Sequence, residues 1–165
     1  MILGMSTGTY TLLHVVISVV AIGSGLIVMY GFLRGKRWDG LTAIFLVTTV
    51  LTSVSGFGFP FEHLSPAHMI GIISLVVLVV AITARYAFHM AGAWRRIYVI
   101  SSAIALYFNV FVLVVQSFLK QPALHALAPQ GKEPPFLIAQ VTVMVIFIVW
   151  TIFAVKKFHP ELGRG

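Results

Sequence analysis

Five long apolar stretches, joined by short connections, constrain this chain more than any other feature of its sequence. A helix needs about 20 apolar residues to cross the hydrocarbon core of a bilayer. Stretches of this size cover residues 10–33, 41–59, 66–88, 94–119 and 135–155. None of the four connections is long enough for a soluble domain. The 165 residues therefore predict a single all-α domain, an integral membrane bundle of five transmembrane helices in contact with the lipid bilayer.

The charged side chains support a lipid environment and predict an orientation. Only 9% of the residues are charged, whereas a soluble domain carries about 25%. Lys120 and Lys132 fall on one side of the predicted bundle. The other nine basic residues fall on the opposite side: Arg34, Lys36, Arg37, Arg85, Arg95, Arg96, Lys156, Lys157 and Arg164. Because basic loops stay in the cytoplasm, we expect an inner (plasma) membrane protein with its N-terminus outside and its C-terminus cytoplasmic.

The net charge of +7 does not indicate a nucleic-acid partner, since the basic residues lie in turns between apolar stretches. An internal similarity is more informative. A shift of 56 residues aligns Tyr30-x-Phe32-x5-Trp38 with Tyr86-x-Phe88-x5-Trp94. This alignment predicts a parallel two-helix repeat, in which spans one and two correspond to spans three and four about an axis along the membrane normal. His14 and His68 would then lie near the outer ends of equivalent helices.

Polar side chains inside the predicted spans outline candidate sites, because in a bilayer such groups usually face the interior of a bundle. Small residues at helical spacing, such as Ala21 and Gly25 in span one, indicate seams of helix packing. The larger polar groups are candidate binding residues. In the predicted orientation they lie in the outer leaflet or, for Asn109, near the midplane: His14, His68, Asn109, Gln116 and Gln140.

The most specific hypothesis for these residues is a b-type haem. Neutral imidazoles from two facing helices can ligate one iron axially, and His14 and His68 are the natural pair. Ser18 and Gly71 lie about one turn deeper and would leave space for the macrocycle. No arginine lies on the predicted outer side to pair with the propionates, which counts against this hypothesis.

Two further chemistries are open at the same face. Imidazole and carboxylate ligands suit zinc, copper or iron, and the candidate ligands are His14, His68, Glu62, His63 and His125. Alternatively, His, Gln and Asn side chains could hydrogen-bond a quinone or another lipophilic small molecule in a mainly apolar pocket. Gly56-Phe57-Gly58-Phe59-Pro60-Phe61 would supply an aromatic wall for such a pocket.

Several functional classes are disfavoured. No Asp or Glu lies within a predicted span, which argues against proton- or sodium-coupled transport, and no lysine lies deep enough for a retinal Schiff base. No Ser, His and Asp share a face as a catalytic triad would, so we predict no catalytic residues. The alternative to a binding site is a non-catalytic accessory or assembly subunit, packed against other membrane-protein subunits or in a homo-oligomer.

The segments Leu13-His14-Val15-Val16, Phe57-Gly58-Phe59-Pro60-Phe61 and Pro66-Ala67-His68 resemble small multi-pass bacterial membrane proteins with no assigned activity. With histidines near both membrane faces, the chain is also loosely similar to haem-bearing bundles of the cytochrome b561 type. That similarity implies haem b and a role in electron transfer. The chain departs from the cytochrome pattern because its cytoplasmic side lacks a second histidine within a span, so the similarity implies one haem rather than two.

Overall fold

The computed structural model describes residues 2, 4–59 and 66–159. Apart from an isolated bridge between Ile2 and Met5, these residues form only helices, turns and irregular segments. In chain order the helices are α1 (Thr7–Leu33), α2 (Asp39–Gly56), α3 (Pro66–Ile82), a π-helical turn (Thr83–Ala87), α4 (Ala93–Lys120), α5 (Pro122–Leu127) and α6 (Pro134–Lys157). Five of these segments are long and apolar enough to cross a membrane, which confirms the predicted fold class.

Two observed helix bounds differ from the predicted ones because local hydrogen bonds determine where the helix begins or ends. Helix α1 begins at Thr7 rather than at residue 10, because the Ser6 hydroxyl accepts a hydrogen bond from the Thr9 amide at 3.1 Å and caps the helix. Helix α2 ends at Gly56, three residues early. Its last residues tighten into a turn in which the Gly58 amide donates to the Ser55 carbonyl at 3.0 Å.

Helices α1 to α4 form a ring in which each helix packs against the next and α4 closes back onto α1. Helix α6 lies outside this ring, against α4 and α1, so the fifth span is peripheral. Accordingly α4 is the most buried of the five spans and α6 the least. In the ring α1 lies opposite α3, and α2 lies opposite α4. A two-fold axis along the bundle that relates spans one and two to spans three and four requires this arrangement. The predicted duplication itself stays a prediction.

Small residues allow the ring helices to approach closely, as the seam in α1 predicts. Ala21 and Gly25 are both buried. A Cβ atom on Gly25 would lie 2.6 Å from Leu106 of α4 and 2.9 Å from Phe45 of α2, so three helices meet at this glycine. Gly23 faces away from the ring and has no atom within 4 Å of such a Cβ position. Close backbone approach of this kind is how helices pack in a membrane.

The bundle has two different ends, which we name by their side chains. The basic end carries the connection 34–38, the turn 88–92 and the last turn of α6, with most of the Lys and Arg residues. The histidine end carries the first turns of α1 and α3, the residues 57–59 after α2, and the connection 121–133 with α5. The placement of either end in the cytoplasm stays a prediction.

Candidate functional site

His14 is held by a hydrogen bond to a neighbouring helix at the histidine end. Its Nδ1 atom lies 2.7 Å from the hydroxyl oxygen of Ser55 on α2. That hydroxyl also lies 3.2 Å from the Thr52 carbonyl, to which it can donate its one proton; in that arrangement Nδ1 of His14 donates to Ser55. A neutral imidazole protonated on Nδ1 presents Nε2 as a hydrogen-bond acceptor. The imidazole is half-buried.

Aromatic rings fix the surroundings of this imidazole. The Phe59 ring meets the rings of His14 and Tyr10 edge-on, with centroids 5.2 and 5.1 Å apart. The Tyr10 hydroxyl donates to the Ser55 carbonyl at 2.7 Å. A Cβ on Gly58 would lie 2.1 Å from that hydroxyl oxygen, so glycine is required here for the Tyr10 ring to reach Ser55. Helix α1 and the end of α2 thus form one polar and aromatic cluster around His14.

His68 lies at the same end of the bundle but on a different side of α2. Its ring is 5.7 Å from the Phe57 ring, and both side chains are half-buried. The Phe57 ring also fills the space beside Gly71, since a Cβ there would lie 3.3 Å from it. The segment Phe57–Phe59 therefore places one phenylalanine against each histidine.

Two of the other three predicted binding residues make hydrogen bonds between helices. Asn109 is buried and donates to the Thr49 hydroxyl at 3.3 Å, which joins α4 to α2. Gln140 is buried and donates to the Phe111 carbonyl at 3.2 Å, which joins α6 to α4. Both residues therefore tie helices together. Gln116 is half-buried and lies one turn before Lys120 on α4.

A metal site receives no support from the described residues. Within 2, 4–59 and 66–159 there is no group of three or more His, Cys, Asp or Glu side chains placed to hold one ion. His125 is exposed on α5. Glu62 and His63 lie outside the described residues, so the part of the prediction that rests on them is not addressed.

The packing does not fit a haem between His14 and His68. One feature is suitable: a ligating histidine commonly has a polar partner for its second ring nitrogen, as His14 has in Ser55. However, the expected space beside Gly71 is filled by Phe57, and Phe59 covers the His14 ring. Of the described residues at this end, only Lys120 and Lys132 offer a cationic side chain for the propionates.

An ionic contact of a buried arginine at the basic end was missed by the sequence analysis, which counted Arg85 only among the basic residues that flank the turn between spans three and four. Arg85 lies in the π-helical turn and is only 4% exposed. Its guanidinium pairs with the Asp39 carboxylate at the start of α2, and Nη1 donates to the Tyr98 hydroxyl at 3.3 Å. The guanidinium also lies over the Tyr98 ring, 5.2 Å from its centroid.

One signal in the sequence could have found Arg85. Leu78 and Ala81 are buried on the inner face of α3, and Arg85 follows them at helical spacing. Because its guanidinium already has a carboxylate and a hydroxyl as partners, Arg85 joins the ends of α2, α3 and α4 rather than presenting an open site.

Comparison with protein-family models, characterised proteins and solved structures finds no match to this chain. The class of protein that the fold defines is therefore the broad one, a multi-pass membrane protein with five candidate spans.

Proposed function

We propose that this membrane protein binds a lipophilic small molecule of the quinol type at its histidine end. The observation that carries the proposal is the His14 imidazole, which Ser55 holds through Nδ1 so that Nε2 is left for a ligand. When the Ser55 hydroxyl donates to the Thr52 carbonyl, Nδ1 of His14 is the donor to Ser55, and Nε2 is an acceptor that matches the hydroxyl of a quinol. Small-molecule sites are mostly apolar with a few oriented polar groups, and this cluster has that composition.

The surrounding side chains support the same class of ligand. The half-buried Phe59 ring, which packs edge-on against the buried Tyr10 ring, offers a surface against which an aromatic head group can pack. Exposed apolar residues on the outer surface of α1, such as Leu12 and Val16, would leave a ligand's tail in contact with lipid. Gln116, which is half-buried and lies one turn before Lys120 on α4, is a candidate for a second polar contact.

Titration with a short-chain benzoquinol, followed by calorimetry in lipid nanodiscs, tests the proposal. We expect saturable binding that His14→Ala weakens by about five- to thirtyfold, the effect of losing about one to two kcal/mol of hydrogen bonding. Ser55→Ala should weaken benzoquinol binding less, because this variant frees the His14 imidazole but does not remove the imidazole. His89→Ala is the matched control, because His89 is an exposed histidine at the opposite end. Equal affinity of the wild type and His14→Ala would refute the proposal.

A visible spectrum of the same preparation distinguishes the haem hypothesis. A Soret band that requires both His14 and His68 would replace the quinol proposal with haem, and it would require Phe57 and Phe59 to move. The accessory-subunit alternative makes a different prediction. One protein partner should co-purify after mild solubilisation, and the nanodisc protein should show no saturable benzoquinol binding.

The proposed location is the inner membrane of a bacterial cell, with the histidine end outside. The chain has no cysteine, so single-cysteine variants can report the orientation directly. A membrane-impermeant maleimide should label Gln130→Cys at the histidine end of intact cells and leave Lys36→Cys at the basic end unlabelled until the cells are lysed. The reverse pattern would place His14 on the cytoplasmic side.

A further inference from the structure

A lipid-facing groove runs between α4 and α6 from the middle of the bundle to its basic end. Its cavity volume is about 500 Å³, within the range of about 300–1,000 Å³ that is typical of ligand pockets. Isoleucines form its walls, with Ile100 and Ile104 on α4 facing Ile148 and Ile152 on α6. Tyr107 and Met144 bound it near the midplane, and Lys156 bounds it at the basic end.

The length of the groove matches one leaflet. From Met144 to Lys156 the helix advances twelve residues, or about 18 Å at 1.5 Å per residue. Half of a bilayer's hydrocarbon core is roughly 15 Å thick. An acyl chain of a lipid whose head group lies at the basic end would therefore run along the groove and stop near Tyr107.

Both walls of the groove end in a cation. On α6, Ile148, Ile152 and Lys156 follow one another at four-residue spacing. On α4, which runs in the opposite direction, Ile104, Ile100 and Arg96 do the same. Residues four apart share a face of a helix, so Arg96 and Lys156 lie at the same end of the two walls. Both side chains are exposed, and an anionic head group in line with the groove would meet two positive charges.

A second apolar groove shows that not every groove of the molecule combines apolar walls with cations at one end. It lies between α2 and α3, has a volume of about 330 Å³, and is lined by Ala43, Leu46, Val47, Val50, Leu51, Ile82 and Tyr86. None of these residues is charged. The nearest cation in sequence, Arg85, is buried and paired with Asp39. This groove can accept lipid tails, but its lining offers no charge to select a head group.

We propose that the α4–α6 groove is a binding site for an anionic phospholipid, with one acyl chain between the isoleucines and the phosphate between Arg96 and Lys156. Basic pockets between transmembrane helices bind acidic head groups in this way. The site is separate from the histidine end, so it stands or falls independently of the proposed quinol site.

Native mass spectrometry of the protein released from mixed micelles tests this site. Each basic residue near an anionic lipid is worth roughly fivefold in affinity. We therefore expect dioleoylphosphatidylglycerol to bind at least about tenfold more tightly than dioleoylphosphatidylcholine. Lys156→Gln and Arg96→Gln should each reduce this preference roughly fivefold. Lys157→Gln is the matched control, because Lys157 is the next residue on α6 and points to a different side of the helix.

A second pair of variants tests the apolar wall without changing charge. Ile148→Trp places a bulky ring in the groove, and we expect it to reduce phosphatidylglycerol binding by about fivefold or more. Ile138→Trp is its control, at an exposed position on the same helix outside the groove. Equal binding of the two lipids would overturn the proposal, as would charge variants that retain the wild-type preference. Either result would mean that lipids cover this surface without selection.

Discussion

The two ends of the bundle are built on different principles. At the basic end Phe32, Tyr98 and Phe158 are almost completely buried, and the ring centroids of Phe32 and Phe158 are 4.6 Å apart. At the histidine end Phe59 and His14 are only half-buried, although hydrogen bonds fix their surroundings. Dense packing contributes most to stability, whereas an oriented, partly accessible polar group is suited to binding. The comparison suggests that the basic end stabilises the fold and that the histidine end is available for a ligand.

The largest expected effect comes from removing one aromatic ring at each end. Phe32→Ala leaves a cavity beside Tyr98 and Phe158, and we expect it to lower the free energy of unfolding by about 3 kcal/mol. Phe59→Ala should cost about 1 kcal/mol, because its ring is half-exposed and the site can collapse. Unfolding by SDS in mixed micelles measures both values. Equal losses would show that the two ends are packed alike.

The ion pair between the buried Arg85 and the exposed Asp39 gives the next largest effect. Asp39→Asn leaves the Arg85 guanidinium buried without a countercharge, a change that can cost 3–5 kcal/mol in a dry interior. Asp39 is 62% exposed, so water reduces the expected loss to about 2 kcal/mol. Arg85→Met removes the charge itself and should cost less, about 1 kcal/mol. Adding Asp39→Asn to Arg85→Met should then have little further effect, and additive losses would mean that the pair is not coupled.

This contrast also explains what could be predicted from the sequence. The five spans follow from apolar length alone, since a lipid environment requires long apolar helices, and all five were predicted. The buried Arg85 could not be assigned in the same way. Its helical spacing from Leu78 and Ala81 favours an inward position, but its place at the end of a span is equally compatible with an exposed basic turn. Only the contacts with Asp39 and Tyr98 distinguish the two.

The candidate site shows a similar limit. His14 was predicted as a site residue because an imidazole in a span is rare, but its partner Ser55 was not. Serines in membrane helices usually bond within their own helix, as Ser18 does to the His14 carbonyl at 2.7 Å. The pairing of His14 with Ser55 depends on the relative rotation of α1 and α2. Asn109 and Gln140 stay predicted binding residues, and each also joins two helices through a hydrogen bond that the sequence did not indicate.

A glycine substitution probes the histidine end with a smaller expected effect on stability. Gly58→Ala places a methyl group where the Tyr10 hydroxyl lies, so the Tyr10 ring must move away from Ser55. We expect a loss of about 1 kcal/mol and a clear loss of benzoquinol affinity. Gly56→Ala is the control, because its added Cβ would make only an ordinary contact, 4.0 Å from the His14 ring. Equal benzoquinol binding by the two variants would exclude Tyr10 from the site.

The smallest effect is local and depends on pH. The backbone amides of Lys132 and Gln130 donate to the Glu133 carboxylate at 2.9 and 3.0 Å, and they hold the pKa of that carboxyl below its usual value. A carboxyl whose pKa is lowered by folding stabilises the folded loop above its unfolded pKa. This contribution is lost as the pH falls through the folded value. We therefore expect the two amides to lose hydrogen-exchange protection under acidic conditions.

Comparison with Glu133→Gln at each pH removes the intrinsic pH dependence of amide exchange. In the variant, the amides of residues 130 and 132 should show low protection at every pH. In the wild type, their protection should fall to this low level only at acidic pH. The Lys36 amide at the basic end is an internal reference, because it donates to the Gly31 carbonyl, a group that does not titrate. Parallel acid-induced changes at both ends would indicate global loosening of the bundle. A change confined to the connection before α6 would show that the histidine end opens locally while the packed basic end stays closed.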